Sequence, residues 1–307
     1  GPRTATVPVL KCPVGADVDD QTVLQQVIGY YHEVLKASPA ARKYLDARGI
    51  FSEEAVEKFR IGFSDRTLGI RLPGKNLLEG KAMREQLVRV GLYREMGREH
   101  FDGSVVFPVI TSKGEITEVY GRKITKGLRV GTQLHTYLPG PHRGIWNEDG
   151  VAGAKGEVIL CEAIIDALTF WVNGYRNVTA AYGVEGFTED HLNAFVHYGI
   201  RRVAIAYDRD DAGDAAAEKL AQRLIAEGFE CRRVHFPKGM DANEYARKLK
   251  PAVQSLRVVV QAAVPMGKGA AAKKEKAQPV VVAAAIVDGA RAESPIFPPL
   301  EVQVPEA

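Results

Sequence analysis

Apolar residues recur at three- and four-residue steps through Val23, Leu24, Val27, Ile28, Tyr31, Val34 and Leu35, which marks one buried face of a helix. A second helix has both its start and its stop in the sequence. Ser38 suits the N-cap, Pro39 the first helical position and Gly49 the left-handed residue that ends it. Ser52 opens a third helix, so residues 21–100 are predicted to be mainly helical. Val105-Val106-Phe107 and the stretch from Ile116 to Tyr120 then flank the turn-formers Thr111-Ser112-Lys113-Gly114, which predicts a β-hairpin.

From residue 157 the pattern changes. Short apolar runs at Val158 to Leu160, Val178 to Ala181, Val203 to Ala206 and Cys231 to His235 alternate with helical stretches near 164–174, 188–198 and 212–228. Continuous apolar runs fit parallel strands buried on both faces, with right-handed crossovers placing helices on either side. The expected fold class is α/β: a small, mainly parallel sheet with helices on both faces, preceded by a mixed α+β subdomain. Ligands of such sheets bind at the carboxyl ends of the strands.

The expected organisation is a linker over 1–20, a first subdomain over 21–150, a second over 151–265 with a closing helix, and a low-complexity tail over 266–307. Gly1-Pro2 resembles a protease-cleavage scar, and the GKGAAAKKEK run from Gly267 to Lys276 has a linker's composition. Val280-Val281-Val282 is the one strand candidate in the tail.

Composition narrows the classes. With 46% apolar and 26% charged residues over 307 positions, the chain is globular with room for about two domains. It has neither a run of 18 apolar residues nor a signal-peptide pattern, so no membrane association and a cytoplasmic setting are expected. Cys12, Cys161 and Cys231 are scattered without metal-ligand spacing, so neither a disulfide framework nor a zinc site is expected. Residues 21–150 carry 20 Lys+Arg against 15 Asp+Glu, and residues 151–250 carry 13 against 15. A basic half before an acidic half suits a polyanion held beside a carboxylate site, and ordinary surface variation fits it as well.

The acids carry the candidate chemistry. Glu162 ends the first predicted strand with Asp166 one turn into the next helix, Asp208 and Asp210 follow the third strand, and Asp241 and Asn243 follow the fourth. Singly, each is explained as a helix cap or dipole partner. Jointly they bring carboxylates to one sheet edge, where they repel unless a cation is shared. Their hard oxygens suit Mg²⁺ or Mn²⁺.

The segments CEAIIDALTF, YDRDDAG and KGMDANEY resemble the E-G-x-x-D, D-G-D-x-A-G and D-x-[DN]-E segments of the TOPRIM superfamily, over about residues 155–250. Ala163 and Arg209 stand where glycine is usual. Arg209, between two acids, either reaches a phosphate or points to solvent. Ahead of this, YYHEVLKASPAARKYLDARGIFSEEAVEKFRIGFS resembles the opening of the bacterial DnaG-type primase core, and Phe107-Pro108-Val109-Ile110 with Tyr120-Gly121-Arg122 resembles its F-P-I and G-G-R hairpin. Acidic Asp102 and polar Thr136 stand where that family has basic residues, which implies a diverged member of the kind a phage or mobile element encodes.

The resemblance implies a DNA primase core that joins nucleoside triphosphates into short primers on single-stranded DNA with two divalent ions. Asp208, Asp210, Asp241 and Asn243 would hold the ions, Glu162 would be a ligand or a general base, and Asp166 would orient the Glu162 loop. Arg122, Lys123, Tyr137, His142, Arg143 and Arg209 would meet nucleotide or template. A replicative helicase is implied as a partner through further regions. Two other classes stay open: a noncatalytic module that binds single strands or a partner, and a TOPRIM nuclease.

Overall fold

The computed structural model describes residues 10–267, so the expected tail after Gly267, with its strand at 280–282, lies outside the described residues. In chain order the elements begin with α1 (Asp20–Ala37), α2 (Pro39–Ala47), α3 (Glu53–Lys58), β1 (Gly62–Ser64), α4 (Leu68–Arg71) and α5 (Leu78–Arg89). Next come β2 (Ser104–Ile110), β3 (Ile116–Lys123), β4 (His135–Tyr137) and α6 (Glu148–Ala152). The rest are β5 (Glu157–Cys161), α7 (Ile164–Val172), β6 (Val178–Ala180), α8 (Glu189–His197), β7 (Arg202–Ala206), α9 (Asp211–Ala226), β8 (Glu230–Arg233), α10 (Ala242–Lys248), α11 (Ala252–Gln261) and β9 (Val264–Pro265).

The caps sit where the sequence places them. Asp19 accepts from the Thr22 N–H, Ser38 from the Ala41 N–H and Ser52 from the Ala55 N–H, each satisfying a donor the helix start leaves free. Gly49 takes φ 65° at the end of α2. Part of the expected N-terminal linker is packed instead: Val14 is buried, and the Gly15 N–H donates to Gln26 of α1.

Two sheets result. The first is antiparallel in the order β1-β2-β3-β4, with the hairpin β2-β3 at its centre. Strand β1, three residues long, lies so close to α1 that a Cβ at Gly62 would come 2.8 Å from Cβ of Tyr31. The second sheet has the order β6-β5-β7-β8-β9, parallel apart from β9. In it Cys161 is level with both Ala180 and Ala206, so β5, β6 and β7 finish together and the residues after them emerge at one edge.

One core joins the sheets. Phe59, after α3, stacks on Trp146 at 4.2 Å and meets Trp171 of α7 edge-on at 5.0 Å, within a single apolar cluster that runs from Leu35 to Ala263.

Candidate metal and nucleotide site

The aligned ends of β5 and β7 put Glu162 and Asp208 side by side. Gly213 lets the chain after Asp208 fold back tightly, since a Cβ there would sit 2.4 Å from the Asp208 carbonyl oxygen. Its N–H donates to Asp210 at 2.7 Å, which makes Asp210 the N-cap of α9. Asp241 caps α10 in the same way, accepting from the Glu244 N–H at 2.6 Å. The loops are tied to each other: the Arg209 N–H donates to the Met240 carbonyl at 2.9 Å, and the Gly239 N–H to the Arg209 carbonyl at 2.7 Å.

The acids feel one another. Burial, then the charges of Glu162, Asp241 and Asp210, push Asp208 up to about 7. Glu162 is raised by burial and by Asp210 and Asp241. Asp166, only 5% exposed, is raised well above the carboxylate range by burial, Asp241 and Asp208. Glu162 Oε2 and Asp208 Oδ1 are buried and have no hydrogen-bond partner. Two unpaired carboxylate oxygens in one acidic field fit a hard divalent cation. Among the described residues no group of three or more His, Cys, Asp or Glu side chains is arranged to hold a metal ion.

Three expected members of the site have partners within the protein. Asn243 is buried, its side chain donating to the Arg48 carbonyl and to Thr169 Oγ1, both at 2.8 Å, and accepting from Arg48 Nη1. Both ends of its amide are engaged within the protein. Its backbone N–H donates to Asp166 Oδ1 at 3.0 Å, so Asp166 anchors α10 rather than the Glu162 loop. Arg209 is partly exposed, and its guanidinium pairs with Asp214.

The nucleotide-side residues divide. Lys123 is mostly buried in an ion pair with Asp102, which occupies the cation expected to face a phosphate. His142 pairs with the buried Glu118 at 2.7 Å and stacks on Tyr182 at 4.6 Å, while the Arg143 carbonyl accepts from Tyr182 and its exposed side chain lines a cleft with Thr111 after β2, Thr117 of β3 and α8 residues that holds none of the metal-site acids. Tyr137 packs 5.2 Å from Tyr120 and 4.7 Å from His142, and burial, helped by the charges of Glu118 and Glu162, raises it. Arg122 of β3 donates to Nε2 of its register partner His135, and its buried Nε has no partner. Burial and the cations of Arg122 and Arg48 hold His135 below its ordinary value, so it stays neutral and can accept.

Sequence reasoning missed Arg48, His135 and Arg233. Arg48 stands in the R-G-I motif and is a visible signal; with Arg247, Lys248 and Lys250 it lines a cleft of about 520 Å³ that includes Asp241.

A mainly parallel sheet whose strand ends carry E-x-x-x-D, D-x-D and D-x-N defines a TOPRIM domain. Family models agree: residues 159–246 match "Toprim-like", and residues 30–146 match "DNA primase catalytic core, N-terminal domain". The chain thus carries a segment like the N-terminal domain of a DNA primase catalytic core followed by a Toprim-like domain. It is similar to the DNA primase of Aquifex aeolicus, 28% identical over 249 residues that cover 76% of this chain and 48% of that protein, so it spans about half of that relative's length. The fold matches the zinc-binding and RNA polymerase domains of the Aquifex aeolicus primase with a TM-score of 0.67 at 22% identity, over 81% of this chain and 63% of that one. It also matches a DnaG primase catalytic domain bound to ssDNA, with a TM-score of 0.63 at 21% identity over 80% and 79% of the two chains.

Proposed function

We propose that this chain is the catalytic core of a cytoplasmic DNA primase, joining nucleoside triphosphates into short primers on a single-stranded DNA template with Mg²⁺ or Mn²⁺. The observation that carries the reading is the pair of buried, unpartnered oxygens on Glu162 and Asp208 within a field of acids at one sheet edge. Glu162, Asp208, Asp210 and Asp241 would hold two ions, Asp210 and Asp241 through the oxygen not used as a helix cap. Bound ions would supply activation of the attacking 3′-hydroxyl and offset charge on the leaving pyrophosphate.

The chain's own groups do the rest. Arg122, oriented by neutral His135, presents its guanidinium to a phosphate. Tyr137 shields the acids from water on the hairpin side and offers a ring face to a base. With Lys123 tied to Asp102 and Thr136 uncharged, few cations remain on the hairpin, so template binding is weak and only modestly salt-dependent.

Incubation with labelled nucleoside triphosphates, mixed single-stranded templates and each divalent ion tests the reading. Short template-dependent products that vanish in Asp208→Asn support it. Strand nicking without nucleotides would assign a nuclease instead, and binding without any metal-dependent product would assign an interaction module.

A further inference from the structure

Arginine 233 lies at the end of a sheet strand, level with Ile205 of β7, and is only 4% exposed. A buried guanidinium costs several kcal/mol unless its donors are met. Here they are met almost wholly by the segment that carries the acids. Nη1 donates to the Tyr207 carbonyl at 2.8 Å and, more distantly, to those of Ile205 and Val234; Nη2 donates to the Asp208 carbonyl at 2.9 Å and to Asp214 Oδ1 at 2.8 Å. Tyr207 and Asp208 lie past the end of β7, where no ladder bond fixes the backbone. The other oxygen of Asp214 takes Arg209, whose own backbone bonds twice to the loop before Asp241.

We propose that Arg233 is a positioning residue: with Asp214 and Arg209 it braces the loop from Tyr207 to Asp210 and fixes the spacing between Asp208, Asp210 and Asp241. The inference rests on the reading that these acids hold divalent ions. Charge alone predicts the opposite behaviour, since a cation behind the acids repels an incoming metal. The two effects therefore separate by sign. Five simultaneous bonds also need a planar fork, which a lysine ammonium does not provide.

The test is Mn²⁺ titration by calorimetry on the full chain without DNA or nucleotides, together with hydrogen exchange of the 207–214 amides. Arg233→Lys keeps the charge and loses the fork. It should bind Mn²⁺ about tenfold more weakly and exchange those amides faster, while its circular dichroism stays that of the unmodified protein. Should Arg233→Lys not fold, Arg209→Gln on the half-exposed arm of the brace decides: weaker binding supports the brace, and tighter or equal binding overturns it. A folded Arg233→Lys within twofold of the unmodified affinity also overturns it, while the metal reading stands. An unmodified protein that takes up no Mn²⁺ defeats the metal reading and this inference with it.

Discussion

Asn243 and Asp166 are joined by a hydrogen bond of 3.0 Å from the backbone N–H of the first to the carboxylate of the second, which ties α10 to α7 beside the acids at the strand ends. An amide that looks like a metal ligand in sequence, and an acid read as orienting the Glu162 loop, thus serve as the hinge-pin of the closing helix.

Asn243→Ala should therefore cost stability rather than metal. It removes donors to the Arg48 carbonyl and Thr169 Oγ1, so a loss of about 1–3 kcal/mol in urea unfolding is expected. Mn²⁺ affinity should stay within about twofold, and a tenfold loss in a folded variant would restore Asn243 to the ligand set.

Metal-free protein should grow less stable as pH rises through neutrality. Asp208 has its folded value raised from 3.8 to about 7, so its contribution is complete below about pH 4 and is lost as pH climbs through 7. Glu162 and Asp166 are raised too and act in the same direction. Melting temperatures between pH 5 and 8 should fall without metal, fall less in Asp208→Asn, and recover most with Mn²⁺ at the alkaline end.

His191 acts at the other end of the scale. It is fully buried, donates from Nε2 to the Ala180 carbonyl at 2.8 Å and is depressed to about 4 by burial. A depressed base contributes stability above its unfolded value of 6.5 that is lost as pH falls through 4. About 3 kcal/mol should disappear over that window, and His191→Gln should remove most of the dependence.

Phe59→Ala should weaken both sheets at once. Its ring lies against Trp146 and Trp171 in the common core, so about 3–5 kcal/mol is expected to be lost, with tryptophan fluorescence and far-ultraviolet dichroism still unfolding together. Two separated transitions in the unmodified protein would mean that the halves fold independently.

Arg122→Ala should weaken single-strand or nucleotide binding and lower the salt slope by about one unit, as expected when one phosphate contact is lost. Lys123→Ala should leave that slope alone and reduce stability, because its charge is spent on Asp102.

What was legible follows from the range of the interactions. The Ser38-Pro39 start, the β2-β3 hairpin and the four parallel strands are set by neighbours in sequence, and the strand ends carried the acids into view. Strand β1 escaped notice because three residues show no period, and β9 because two show even less. The pairing of Lys123 with Asp102 and the second role of Asn243 depend on partners 21 and 195 residues away, Asp102 and Arg48. Arg233 lay inside a run read as apolar, and a strand arginine expected to be buried is itself a signal of a partner.

Asp210 and Asp241 each hold a helix start with one oxygen while leaving the other at the acidic edge. Alanine at either place would confound two losses, whereas asparagine caps about as well as aspartate and removes only the charge. Natural sequence drift faces the same filter. Either position can exchange aspartate for asparagine without disturbing the fold, so a lineage that abandoned the chemistry would be expected to record the event there first, as a change of one atom in a side chain that still looks structural.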